Sequence, residues 1–226
     1  SKLWNAAQEY ANYRNAYLVN VEELYNQFGY GIQRHPLAIR NFLKYITAVW
    51  DSGPDFLFII GKGVAHDAIR KSNVLTQQCL IPTMGYPPSD ALLSTKINNN
   101  PFTPAISTGR LAARTSSEIT DYLNKVKAFE LQEPQEWMKQ IIHFGGGKTA
   151  YEQSLFKKYL VFYENYIVDT LFGGTVSTFL KTSSDPISIS KTDSITNLVN
   201  NGVSLMTFFG HGSTNGFDQN IDEPEA

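Results

Sequence analysis

Cysteine is nearly absent from this sequence, since Cys79 is the single one among 226 residues. A lone cysteine excludes an internal disulfide framework and any zinc site built from several cysteines. The four histidines are scattered along the chain without metal-ligand spacing, so the sequence predicts no metal site. Cys79 lies in a polar stretch with no histidine beside it, and we expect a buried or idle thiol there rather than a nucleophile.

The chain also has little net charge, since its formal charge is −2 at pH 7. A balance this close to neutral argues against nucleic acid or an anionic membrane as an obligatory partner. The apolar runs are too short to span a bilayer, and no signal peptide is visible. The chain does have 42% hydrophobic and 13% aromatic residues, which predicts a packed globular core in one large or two small domains.

Strand-like and helix-like patterns alternate through the first 133 residues. In chain order, the sequence predicts a helix at residues 2–15, a strand at 17–21, a helix opened by Pro36, a buried strand at 56–60, a proline-rich loop region at 61–103, a strand at 105–108 and a helix that starts at a capping box of Thr115 and Glu118. This β-α-β order predicts a parallel sheet with crossover helices.

The stretch Gln132-Glu133-Pro134 predicts a domain boundary, after which the alternation starts again. The expected elements are strands at 140–144, 176–180 and 203–209, a helix carrying residues 155–167, a short helix at 191–200 and a polar loop from Asp218 to Ala226. The predicted fold class is therefore α/β, with two consecutive α/β subdomains at residues 1–133 and 134–226. Both are expected to have mostly parallel sheets flanked by helices.

His211 is the candidate residue with the most informative surroundings. It follows the apolar strand at 203–209 and lies between Gly210 and Gly212, so a substrate can approach the backbone closely. Open α/β sheets place their chemistry at the carboxyl ends of strands. A histidine there can act as a general base, and the N–H of Gly212 can stabilise an oxyanion. The alternative is a glycine-rich turn whose imidazole caps a backbone group.

The other polar candidates have structural interpretations. We expect His35, just before Pro36, to be solvated, and His143, inside a predicted strand, to be packed in the core. His66 lies in a loop that could border a cleft, and Asp90 is interpreted as a turn residue with a cation-ligand role left open. Ser213 lacks the G-x-S-x-G elbow that would expose a serine nucleophile.

The Gly145–Thr149 loop has some features of a phosphate-binding loop, because it runs Gly-Gly-Gly-Lys-Thr between a strand and a helix. A Walker A loop needs a further glycine where this chain has Ile142. The loop is better explained as a tight turn into a helix N-terminus. Nucleotide binding remains a weaker alternative.

Four stretches resemble the gingipain family of cysteine peptidases, which are caspase-like enzymes of clan CD. They are YGIQRHPLAIRNFLKY (Tyr30 to Tyr45), FLFIIGKG (Phe56 to Gly63), TGRLAARTSSEITDYLNKVKAFE (Thr108 to Glu130) and FFGHGSTNGFDQNI (Phe208 to Ile221). Their order matches that of the family, and they extend over nearly the whole chain. The second half resembles the caspase-like region, with a strand ending in His-Gly.

The resemblance implies roles for two residues. His211 falls on the catalytic histidine of the family, and Gly212 falls on the residue whose backbone N–H lines the oxyanion hole. The nucleophilic cysteine is expected on the next strand, after Ala226, and Cys79 cannot replace it because the family order is His and then Cys. We therefore expect a fragment of a Cys-His endopeptidase, with an incomplete caspase-like second subdomain and no activity by itself.

Among gingipain relatives, the FFGHGS form is most similar to the signal peptidases, or sortases, of the Bacteroidetes type IX secretion system. This similarity implies protein or peptide substrates, other secretion components as partners and a location in the bacterial cell envelope or outside the cell. No cofactor is expected, and a structural calcium ion is left open. The alternative is a non-catalytic structural or docking component of a secretion assembly.

Overall fold

A computed structural model describes residues 2–97, 100, 103–182, 188–190, 192–213 and 216–221. The chain divides into two compact units, Ser1–Leu131 and Gln132–Ala226, beside the Gln132-Glu133-Pro134 stretch. Both units contain parallel strands flanked by helices, so the predicted α/β class is confirmed.

The first unit has three longer helices that the sequence predicts and three that it does not. Its elements are α1 (Trp4–Arg14), α2 (Val21–Phe28), α3 (Pro36–Val49), β1 (Phe56–Ile60), α4 (His66–Ile69), α5 (Asn73–Gln78), a 3-10 turn (Asp90–Leu93), β2 (Ser107–Leu111) and α6 (Ser116–Glu130). The capping box of Thr115 and Glu118 starts α6 as predicted. His35 caps α3, since its Nδ1 accepts the N–H of Leu37 at 3.2 Å.

The predicted strand at 17–21 is wrong, because Val21 begins helix α2. The Asn20 side chain accepts the N–H of Glu22 at 3.1 Å and caps the helix. Two acidic residues in the first turn add a favourable interaction with the helix dipole. Leu24 and Tyr25 are buried while Tyr17 is exposed, so the apolar residues follow the helical period rather than the alternation of a strand.

Strands β1 and β2 pair in parallel at the centre of the first unit. Successive side chains of a strand point to opposite faces. Leu57 and Ile59 join the core cluster that includes residues of α2 and α3, and Phe58 and Ile60 join the cluster that includes residues of α1 and α6. Both faces are covered, which explains the continuous apolar run. The strand predicted at 105–108 instead begins at Ser107.

Arg110 on β2 organises the region at 61–103, which contains α4, α5 and the 3-10 turn. Its Nε and Nη2 donate to the two carboxylate oxygens of Asp90 at 2.6 and 2.7 Å, in the bidentate geometry that favours guanidinium–carboxylate pairs. Its Nη1 also donates to the carbonyls of Gly61 and Ile81. Asp90 begins the 3-10 turn, as its interpretation as a turn residue predicts, and its pair with Arg110 also holds this region against β2.

The second unit is built on a three-stranded parallel sheet in the order β4-β3-β6. Its elements are a 3-10 turn (Glu136–Lys139), β3 (Gln140–Gly145), α7 (Ala150–Ile167), β4 (Thr175–Leu180), β5 (Ser188–Ser190), α8 (Thr192–Asn200), β6 (Leu205–Phe209), β7 (Gly212–Ser213), β8 (Gly216–Phe217) and β9 (Gln219–Ile221). Strands β5 and β9 pair in parallel, and β7 and β8 form an antiparallel hairpin. The predicted strands at 140–144 and 176–180 are confirmed, and the one at 203–209 begins at Leu205.

The predicted polar loop from Asp218 to Ala226 is wrong in its described part. Asp218 is buried, and Gln219–Ile221 form β9. Residues 222–226 of the predicted loop lie outside the described residues, and so does residue 191 of the predicted short helix. Asn98 and Asn99 of the first unit also lie outside them.

Aromatic stacking holds the sheet of the second unit together. The ring of Phe144 on β3 stacks on Phe208 of β6 at 4.6 Å and on Phe179 of β4 at 5.7 Å. Ile195 of α8 completes the buried cluster around Phe144. Helix α7 contributes the fully buried Leu160. No helix within the described residues combines the length and apolar character needed to cross a bilayer.

His143 is packed in this sheet, as the sequence predicts, and is 1% exposed. Burial lowers its pKa from the ordinary value of a histidine, and Glu164 opposes that change. The folded state therefore binds fewer protons than the unfolded state at mildly acidic pH. Stability is full above the unfolded pKa of about 6.5 and falls as the pH drops below it.

Lowering the pH from about 7.5 to about 5.5 is expected to weaken the hydrogen-exchange protection of the β3 amides in the wild type. We expect a smaller loss in His143→Leu, because leucine is close in volume to histidine and cannot be protonated. The expected difference in the free energy of opening is on the order of 1 kcal/mol, and native-state hydrogen exchange measures it strand by strand. The expectation is wrong if the variant loses as much protection as the wild type over this interval.

Candidate functional site

Two glycine loops lie side by side at the carboxyl edge of the second sheet. Strands β3 and β6 are adjacent and parallel, so their carboxyl ends reach the same edge. The loop after β3 begins with Gly146, whose N–H donates to the carbonyl of Phe209, the last residue of β6, at 2.9 Å. The loop after β6 begins with Gly210 and carries His211. The topology therefore brings the two glycine-rich segments of the sequence together.

Asp218 joins the two loops through its buried carboxylate, although its polar sequence context predicts a loop. Its Oδ2 accepts the N–H of Gly147 at 2.8 Å, and its Oδ1 accepts the N–H of His211 at 3.1 Å. Its own N–H donates to the carbonyl of His211 at 2.9 Å. Asp218 is 6% exposed, and a buried carboxylate is stable only when it is paired or hydrogen-bonded. The two bonds to His211 fix its backbone on both sides of its Cα, and the bond from Gly147 connects this carboxylate to the other loop.

Two glycines make room for this carboxylate. A Cβ atom added to Gly146 or to Gly210 would overlap the Asp218 carboxylate. Any side chain at either position would displace Asp218 from the two N–H groups. The glycines on this edge are therefore required by a close approach within the protein.

The His211 side chain pairs with Glu152, a residue in the first turn of helix α7. The distance between His211 Nε2 and Glu152 Oε2 is 3.2 Å, and both side chains are partly exposed, at 39% and 31%. The ring of Phe156, one turn further along α7, lies 5.8 Å from the imidazole. The imidazole thus has a polar partner, an aromatic neighbour and access to solvent.

Glu152 is held in place by the start of its own helix. Thr149 caps α7 by accepting the N–H of Glu152, and the Glu152 carboxylate turns back to accept the N–H of Lys148 at 2.8 Å. The Lys148 N–H and then the His211 side chain hold the pKa of Glu152 below its ordinary value. The carboxylate is therefore negatively charged at neutral pH and orients the imidazole.

The Glu152 contact determines which imidazole nitrogen is basic in the neutral ring. A carboxylate accepts a hydrogen bond, so the ring proton lies on Nε2 and the lone pair lies on Nδ1. Among the residues that the structure describes, no group donates to His211 Nδ1. The arrangement of oriented carboxylate, imidazole and free basic nitrogen is able to accept a proton from a nearby acid and to return it.

The Gly145–Thr149 loop is arranged differently from a phosphate-binding loop. Its Gly147 and Lys148 N–H groups donate to the carboxylates of Asp218 and Glu152. These two N–H groups are therefore already bonded within the protein and are not free to bind phosphate oxygens. The geometry therefore argues against the nucleotide-binding alternative.

Cys79 and Gly212 are not part of the contact between His211 and Glu152. Cys79 is in the first unit and is fully buried, and burial raises the pKa of its thiol. Gly212 follows His211, is exposed and pairs with Phe217 in the hairpin of β7 and β8. In the described part of the chain, no three His, Cys, Asp or Glu side chains are grouped as a metal site requires.

Two residues of the site are not identified by sequence reasoning. Glu152 has a local signal, because Thr149 and Glu152 have the spacing of a capping box after a glycine turn. That signal identifies a helix start but not a partner for His211, which is 59 residues away. Asp218 has no local signal, since its acceptor role depends on a loop 71 residues earlier.

A comparison with protein families agrees with this arrangement of an α/β fold and a histidine at a sheet edge. The model of peptidase family C25 matches residues 1–225. The chain belongs to peptidase family C25, the gingipain family of clan CD cysteine peptidases. No curated protein and no solved structure matches the chain.

Proposed function

We propose that this chain is part of a cysteine endopeptidase in which His211 is the general base and Glu152 orients it. The observation that carries the proposal is the 3.2 Å contact between His211 Nε2 and Glu152 Oε2 at the carboxyl edge of a parallel sheet. Membership of a cysteine peptidase family supplies the reaction class. Enzymes with covalent catalysis combine a nucleophile, a base and a group that orients the base. In this proposal His211 is the base and Glu152 the orienting group, and the nucleophile is a cysteine thiol.

In the proposed reaction, His211 Nδ1 accepts the proton of a cysteine thiol while Glu152 stabilises the resulting imidazolium through Nε2–H. The thiolate attacks the carbonyl carbon of a peptide bond and forms a C–S bond. The N–H of Gly212 donates to the oxyanion, and the imidazolium then protonates the leaving amine. Water, or an amine in a transpeptidation, releases the acyl group and regenerates the thiol.

The thiol in this proposal is not that of Cys79. A cysteine nucleophile needs a depressed pKa and access to substrate, whereas Cys79 is fully buried with a raised pKa. We assign the nucleophile to a cysteine outside residues 1–226. In this view, residues 1–133 form the first α/β subdomain of a gingipain-like catalytic region, and residues 134–226 form the amino-terminal part of its caspase-like subdomain.

The proposed substrates are proteins exported through a bacterial type IX secretion system, with the enzyme in the cell envelope or outside the cell. The support for this narrower assignment is the FFGHGS sequence around His211. A non-catalytic docking role is the competing function, and it requires no thiol at the site.

The test compares residues 1–226 with a longer form of the protein that continues past Ala226. We expect the longer form to cleave a denatured protein substrate and to lose this activity after alkylation with iodoacetamide, and residues 1–226 to be inactive. Thiol-dependent cleavage by residues 1–226 alone would contradict the assignment of the nucleophile. A folded longer form with no cleavage of any exported protein would favour the docking role.

The role of Glu152 predicts an unequal effect on the kinetic constants. Glu152→Gln keeps the size of the side chain and removes its charge, so the imidazolium loses its partner in the transition state. We expect kcat of the longer form to fall about tenfold with KM nearly unchanged. The exposed Glu136→Gln, with the same charge change, serves as control. Equal kcat values for Glu152→Gln and the wild type would remove Glu152 from the mechanism.

A further inference from the structure

An open cavity of about 230 Å³ in the first unit is lined by basic side chains. It lies between the segment that precedes α3 and the helices α4 and α5. Its lining includes Ile32, Arg34, His35, His66, Ile69 and Arg70, and no acidic residue is among the described residues that line it. Such a cavity has a positive potential without an internal counter-charge.

The backbone and one hydrogen bond place Arg34 at the cavity. Arg34 has a φ of 56°, a left-handed conformation that is uncommon for a residue with a side chain. Its Nε donates to the carbonyl of Cys79 at 3.0 Å, which fixes the plane of the guanidinium. Its terminal nitrogens have no hydrogen-bond partner among the described residues and remain available. Strained residues that are held by a specific contact are concentrated at binding sites.

Each of the two histidines has a ring nitrogen that is not hydrogen-bonded to any described residue. His35 Nδ1 accepts the N–H of Leu37, so the neutral ring carries its proton on Nε2. His66 Nδ1 is buried and has no hydrogen-bond partner within the described part of the chain. Burial and then the neighbouring Arg70 and His66 lower the pKa of His35, which agrees with the place of all three residues in the cavity lining. A buried polar atom without a partner is uncommon in a folded protein, and a bound water or ion is one of the groups that can satisfy it.

We propose that this cavity binds an oxyanion, a phosphate ester or a carboxylate, whose apolar part rests on Ile32 and Ile69. The planar guanidinium of Arg34 and that of Arg70 would donate to the anion oxygens. The ring N–H groups of His35 and His66 would complete the set of donors. The described lining residues all belong to the first unit, whereas His211 belongs to the second, so the proposal does not rest on the proposed peptidase reaction.

The test is an NMR titration of residues 1–226 that follows the imidazole resonances of His35 and His66. The probes are inorganic phosphate, phenyl phosphate and benzoate, added at constant ionic strength and at about pH 7.5, where most imidazoles are neutral. We expect saturable shifts with a Kd of about 1 mM for inorganic phosphate. Phenyl phosphate is expected to bind about fivefold more tightly, because its ring covers apolar surface. Stronger binding of phenyl phosphate identifies a phosphate ester as the ligand class, and stronger binding of benzoate identifies a carboxylate.

The variant Arg70→Gln tests the contribution of charge. Arg70 is exposed, so we expect a folded protein with about tenfold weaker binding of the preferred probe. Arg114→Gln removes one exposed charge of the same unit outside the cavity and is expected to leave the Kd within about twofold. The proposal is overturned if no probe shifts either histidine, or if the two variants weaken binding equally.

Discussion

His211→Ala in the longer form of the protein is expected to lower kcat/KM by about 10²–10⁴-fold, the contribution of a positioned general base. The imidazole is the only group of the described site that both contacts an orienting carboxylate and has a free basic nitrogen. Its removal leaves the thiol protonated at neutral pH, since a cysteine without a basic neighbour has a pKa near 8.5. Steady-state kinetics on a peptide substrate measure the effect.

The fold should survive this substitution. His211 is 39% exposed, and its backbone N–H keeps its bond to Asp218. We expect the melting temperature to change by less than about 3 °C, within the range of surface substitutions. Tyr166→Ala removes an exposed ring at the far end of α7 and is the matched control, with activity expected near that of the wild type. A His211→Ala enzyme that retains wild-type kcat/KM would refute the general-base assignment.

Asp218→Ala is expected to destabilise the second unit by about 2–6 kcal/mol, because two N–H groups that bond to a buried carboxylate lose their acceptor at about 1–3 kcal/mol each. The donors are those of Gly147 and His211, and water has little access to a residue that is 6% exposed. The amides of these two residues should exchange with solvent much faster than in the wild type. Urea unfolding followed by the fluorescence of Trp137, together with hydrogen exchange, measures both effects.

Two further variants test whether the hydrogen-bond acceptors of Asp218 stabilise the loops. One keeps the size of the side chain, and the other removes a carboxylate at another position. Asp218→Asn keeps the shape but turns an amide donor toward an N–H donor, so we expect it to be nearly as destabilising as alanine. Asp193→Ala removes an exposed carboxylate of the same unit and is expected to change stability by about 0.5 kcal/mol or less. Wild-type stability and amide protection in Asp218→Asn would show that the carboxylate does not hold the loops.

Elements set by local pattern are predictable from the sequence. The helical stripes, the capping box of Thr115 and Glu118 and the apolar strand at Phe56–Ile60 each depend on residues a few positions apart. Helix α2 is missed although its cap is local, because a short apolar run before Asn20 resembles a strand. His211 is found from its flanking glycines.

The partners of His211 are not predictable, since they depend on which strands become neighbours. The order β4-β3-β6 places Glu152 and Asp218 beside His211 from positions 59 residues earlier and 7 residues later. Asp218 is near His211 in sequence, but its carboxylate also bonds to the N–H of Gly147, which is far upstream. A single sequence contains no signal that His211, Glu152 and Asp218 come into contact, because each residue alone has an ordinary local explanation.

The position of Asp218 in the chain determines when the site can form during synthesis. A nascent chain that has reached Phe209 already contains all three strands of the sheet and helix α7, but not the carboxylate that holds the two loops. The bond from Gly147 to Asp218 spans 71 residues and that from His211 to Asp218 spans 7, so the two loops can be joined only after Asp218 has been synthesised. The backbone of His211 is thus held by a residue that is synthesised after the sheet beneath it.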